Sequence, residues 1–77
     1  MADEIPMFSV LLQRLEHTRK YSVACLGRWG WEVKVEEDQL PMRTTRYDDW
    51  HRVERALASF HREVNELIAQ GWQQIAQ

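Results

Sequence analysis

Residues 50–71 read WHRVERALASFHREVNELIAQG. Trp50, Val53, Leu57, Phe60, Val64 and Leu67 recur in alternating steps of three and four, so one side of a roughly six-turn helix faces something apolar. Gly71 follows as a stop residue, and Trp72 is placed to fold back on Leu67 in the contact that accompanies a left-handed glycine. At the other end Asp48 or Asp49 caps the helix, where its first amides need an acceptor. A helix over about 49–70 anchors the reading.

Working back along the chain, Met42 to Tyr47 reads as a strand, with Thr44, Thr45 and Tyr47 favouring extension. Residues 37–41 form a turn around Asp38 and Pro41. Before it, Trp31, Val33 and Val35 alternate with Glu32, Lys34 and Glu36, the pattern of a strand with one wet side over about 31–37. Gly27-Arg28-Trp29-Gly30 is a tight turn with glycine at both ends, preceded by a strand over about 21–27 in which Tyr21, Val23 and Cys25 alternate with Ser22 and Ala24. Phe8, Leu11, Leu12 and Leu15 share one face of a helix that starts at Pro6 and runs to about Lys20. The tail 73–77 either adds a short edge strand or frays. The expected fold is therefore a single α+β domain over 1–77: an N-terminal helix, a three-stranded antiparallel meander, and a long C-terminal helix packed on one face of the sheet.

A chain of 77 residues supports one modest core, and its single Cys25 excludes an internal disulfide. A reducing cytoplasm suits that cysteine usage, and neither a leader nor an apolar run of membrane-spanning length is present. Net charge is -2, from 12 acidic and 10 basic residues mixed along the chain. No basic block exists to support strong non-specific nucleic-acid binding. Eight of the ten cations are arginine, suited to stacking and to two-point contacts with carboxylates or phosphates. Four tryptophans exceed what so small a core needs, which reserves one or two for a partner.

Residue chemistry points away from catalysis. His51, Glu54 and His61 fall on one helical stripe, but His61 lies ten residues beyond His51, about 15 Å along the axis, so they cannot share an ion and no metal site is expected. Cys25 is flanked by apolar residues, without the cationic neighbours that activate a thiol. The acidic pairs Glu36–Glu37 and Asp48–Asp49 sit in a turn and at a helix cap, where they solubilise and cap rather than transfer protons. No serine has a glycine-flanked elbow, no phosphate loop is present, and no cofactor is expected.

The meander topology places Arg28, Trp29, Arg46 and Tyr47 at one pole, with Glu36, Glu37 and Asp38 at the other near Arg19 and Lys20. An exposed tryptophan beside arginine makes an interface anchor and equally a stacking platform for a base. The alternative is a hairpin turn in which Trp31 enters the core and Trp29 merely covers its open end. The strands, late helix and Gly71-Trp72 resemble the WGR domain, a β-rich module of nucleic-acid-dependent proteins, although that family's Trp-Gly-Arg order stands here as Arg28-Trp29-Gly30. The functional expectation is a non-catalytic module that binds a larger protein partner through Arg28, Trp29, Arg46 and Tyr47 and regulates or inhibits it, in the manner of a mobile-element or phage inhibitor occupying a basic groove. The alternatives are nucleic-acid binding at the same pole, disfavoured by charge, and a structural homo-oligomer such as a homodimer closed over Ala24 and Leu26.

Overall fold

Phe8, Val10 and Leu12 alternate inward with a period of two, and that alternation, rather than a helical one, governs the start of the chain. In the computed structural model, which describes residues 4–75, β1 spans Ile5–Arg14 and β2 spans His17–Cys25. They pair antiparallel with Arg14 opposite His17, so a two-residue turn at Leu15 and Glu16 stands where the helix over 6–20 was expected. Leu12 is fully buried, whereas Leu15, which the helical reading placed beside it, is 82% exposed.

The remaining strands are β3 (Trp31–Glu37), β4 (Leu40–Tyr47) and β5 (Gln73–Ile75), with the helix α1 (Trp50–Ala69) between the last two. The sheet has five antiparallel strands in the order β4-β3-β2-β1-β5, correcting the three-stranded meander. Four strands follow one another by hairpins. The helix then carries the chain back across the sheet, and β5 adds beside β1 at Leu11 to Gln13. Beyond β5 the outer edge of β1 is open, and there Pro6 and an irregularity between Pro6 and Phe8 are tolerated, because a proline without an amide proton suits an edge or a bulge.

The apolar stripe of α1 covers one face of this sheet. Val53, Phe60 and Val64 are buried against Leu12, Tyr21, Val23, Val33 and Val35, with Leu57, Leu67, Trp31 and Trp72 packed around them. The rings of Tyr21 and Phe60 meet edge to face, 4.9 Å between centroids. Asp49 caps the helix by accepting the His51 amide at 2.9 Å. At the far end Gly71 adopts φ 105°, and the amide of Trp72 donates back to the Leu67 carbonyl at 3.0 Å, the pairing of a Schellman stop. Among the described residues no helix is long and apolar enough to cross a membrane.

Among the described residues no layer covers the other sheet face. Ser9, Ser22, Lys34 and Thr44 form one cross-strand row of it, and Ala24 sits between Pro6 and Glu32 in another. Of the two residues expected in a homodimer contact, Ala24 is 8% exposed and Leu26 is half-buried. Cys25 is half-buried on the helix side, opposite Ile5 and Trp31.

Candidate functional site

The β2–β3 connection is a single 3-10 turn over Gly27–Trp29. It is closed by the Leu26 amide donating to the Gly30 carbonyl at 2.7 Å and by the Gly30 amide donating to the Gly27 carbonyl at 3.2 Å. Both glycines have positive φ, 64° and 93°, a region costly for residues that carry a Cβ. Gly30 is constrained a second way, since a Cβ there would lie 2.2 Å from the Tyr47 carbonyl oxygen. The turn therefore rests directly on the end of β4.

That contact brings the expected residues together. Arg28, Trp29, Arg46, Tyr47 and Asp48 line one shallow depression, open to solvent. Tyr47 faces Trp31 across the strands and packs against the core, while Arg46 lies opposite Glu32 on the uncovered face. The Arg28 guanidinium stands 5.4 Å from the centre of the Trp29 ring, within cation–π range. Trp29 is 63% exposed. The inward role belongs to Trp31, half-buried with its ring 5.4 Å from that of Trp50.

The opposite pole is organised by Asp38. Its carboxylate accepts the Thr18 amide at 2.9 Å and approaches His17 Nδ1 at 3.1 Å, while its own amide donates to the Thr18 carbonyl at 2.9 Å. The Thr18 amide, and then His17, hold the Asp38 carboxyl below the usual aspartate range, and Asp38 raises His17 in turn. Arg19 pairs with Glu37 at 3.1 Å and its guanidinium lies 5.7 Å from the Trp72 ring. This pole is a clasp between two hairpin ends, with His17 paired to Asp38 and Arg19 to Glu37.

A third cluster escaped sequence reasoning, because it forms only once α1 crosses the sheet. The helix leaves the inner face of β4 uncovered, and Arg43 of β4 comes to face Arg52 and Arg55 of α1 across a groove floored by Val33, Val35 and Phe60. The Glu63 carboxylate receives Arg43 Nη2 at 2.9 Å and the Tyr21 hydroxyl at 3.2 Å, which fixes the Arg43 side chain at the groove wall. The three-residue step from Arg52 to Arg55 was visible in the chain. Its alignment with Arg43 was not.

Of the candidates for metal binding, His51 contacts Glu54 at 3.4 Å on the exposed helix face, while His61 packs edge-on against Phe8, 5.5 Å between centroids. Among the described residues no three His, Cys, Asp or Glu side chains converge as a metal site requires. No protein-family model, curated protein or solved structure matches this chain. The resemblance of Arg28-Trp29-Gly30 to the WGR domain accordingly supplies no assignment.

Proposed function

We propose that this chain is a small non-catalytic binding domain that engages a larger protein through its β2–β3 tip and regulates or inhibits that protein by occupying its surface. The observation that carries this reading is Trp29, an indole 63% exposed on a turn whose backbone is braced against Tyr47. A large rigid side chain held in place before binding loses little freedom on docking. The surrounding Arg28, Arg46 and Asp48 supply the polar rim that typically encircles an interface anchor.

Salt separates this reading from nucleic-acid binding at the same tip. Phosphate contacts release counterions, so oligonucleotide affinity falls steeply between about 50 and 200 mM salt, whereas a tryptophan-anchored protein contact changes less. Short single-stranded DNA and RNA titrated at physiological salt should show no measurable binding. Sub-micromolar affinity there, lost in Arg28→Ala and Trp29→Ala, would replace the protein partner with a nucleic acid.

A further inference from the structure

The groove between α1 and β4 carries an inference independent of the tip. It has a volume of about 460 Å³, an apolar floor, and walls that present Arg43, Arg52 and Arg55 beside Thr45 and Ser59. We propose that the groove and the adjoining outer edge of β4 form a second docking site, which takes an extended acidic segment of another protein as a sixth strand.

The edge supplies the first argument. β4 ends the sheet order, runs for eight residues, and is exposed from residue 40 through 46. From Met42 onward its outward main-chain amides and carbonyls are those an incoming strand pairs with, Pro41 having no amide to offer. At the opposite edge β5 covers only Leu11 to Gln13, and the length of β1 left open beyond it is broken by Pro6 and the irregularity between Pro6 and Phe8.

Charge decides what kind of strand fits. β4 carries Arg43 and Arg46 and no acid, in a protein whose net charge is -2. Among the described residues, Arg52 and Arg55 have no ion-pair partner, and Arg43 alone is matched, by Glu63. A second copy of the chain is a poor occupant, since pairing two β4 strands would bring a second Arg43, Arg52 and Arg55 to the same face of the continued sheet, with no acid on β4 to offset them. An acidic strand reverses that sign. Its side chains alternate between faces about 6.8 Å apart, so every second residue would point toward Arg43, Arg52 and Arg55, and the intervening ones toward Arg46 and Thr44.

The test uses the full chain and a fluorescein-labelled peptide of about ten residues alternating glutamate with threonine, at the upper end of strand lengths and long enough to run along β4. Anisotropy should show saturable binding, and amide resonances of residues 40–47 and 52–59 should shift. The double substitution Arg52→Gln/Arg55→Gln lies on exposed helix positions and should leave the melting curve unchanged while weakening the peptide about tenfold. N-methylation of alternate peptide amides, which blocks strand pairing and keeps the charge, should weaken it similarly. Trp29→Ala should bind the peptide as the unsubstituted chain does, so loss of the tip reading would leave this one standing. The proposal is overturned by absence of peptide binding, by equal affinity of the N-methylated peptide, by equal affinity of a ~10-nucleotide thymidine oligomer, or by dependence on Trp29.

Discussion

The Tyr21 hydroxyl donates to the Glu63 carboxylate at 3.2 Å, across 42 positions of sequence, and so ties the central strand to the fourth turn of the helix. Tyr21 is fully buried, and burial raises its phenol above the ordinary value near 10, reinforced by Glu63 and opposed by Arg19. Below about pH 10 both folded and unfolded chains keep this proton and the stabilisation is intact. As pH rises further the unfolded chain ionises first, and stability declines until the folded phenol also loses its proton. Tyr21→Phe should cost about 1 kcal/mol at neutral pH and show a shallower alkaline decline in denaturant midpoint. Identical alkaline limbs would show that Tyr21 is not the group responsible.

Leu12 and Leu15 distinguish the observed strand from the helix that the sequence suggested. Leu12→Asp places an unpaired carboxylate among Tyr21, Val53 and Phe60, losing roughly 3 to 5 kcal/mol of packing before the burial penalty is added. A 77-residue domain holds on the order of 4 to 12 kcal/mol in total, so the variant should be largely unfolded by circular dichroism. Leu15→Asp should melt within a few degrees of the parent. A helix over 6–20 would make both substitutions severe.

Both two-residue hairpin turns run against residue preference. Asp38 and Gln39 have φ of 53° and 70°, as a type I′ turn requires, but Gln39 occupies the place where glycine is favoured. Gln39→Gly should therefore raise stability by about 0.5 to 1 kcal/mol, and Leu15→Gly, at φ 56°, by a similar amount. Asp38 adds a pH signature. Its folded carboxyl sits below the ordinary value, so its contribution is present above about pH 4 and is lost as the pH falls through the folded value. Asp38→Asn should flatten that acid limb, and an unchanged limb would remove the Thr18 and His17 contacts from the account.

Much of the helix, both of its ends, and the alternation of β3 were legible because each signal was local. Val53 to Leu67, Asp49 and Gly71 stand in the structure as their spacing implied, whereas Trp50 at the head of the stripe is exposed. Residues 6–20 were not legible, since Val10-Leu11-Leu12 satisfies both periodicities and the turn at Leu15 contains no glycine, asparagine or proline. Tertiary pairing decided it, with Phe8, Val10 and Leu12 drawn inward opposite Val23, Tyr21 and Arg19. The convergence of Arg28, Trp29, Arg46 and Tyr47 followed from meander topology, which survives in the four hairpin-linked strands. The arginine groove depends on where the helix crosses, and no spacing within one element reports that.

Gly30 links tip geometry to the fold. Gly30→Ala forces a Cβ onto the Tyr47 carbonyl at an unfavourable φ, so the hairpin end must shift or the domain loses about 1 to 3 kcal/mol. Gly27→Ala meets no atom within 4 Å and should cost less, about 1 kcal/mol from φ alone. Equal effects of the two would show that the tip is not braced on β4.

Photo-crosslinking in the native cell tests the tip directly, with p-benzoylphenylalanine in place of Asp48, which lines the same depression as Trp29, compared with the same group in place of Glu66 on the exposed face of α1. One larger protein should be joined at position 48, absent from position 66, and lost when the position-48 probe also carries Trp29→Ala with an unchanged melt. Crosslinks at position 48 to nucleic acid alone, or the same protein joined in the presence of Trp29→Ala, would contradict protein binding through the tip.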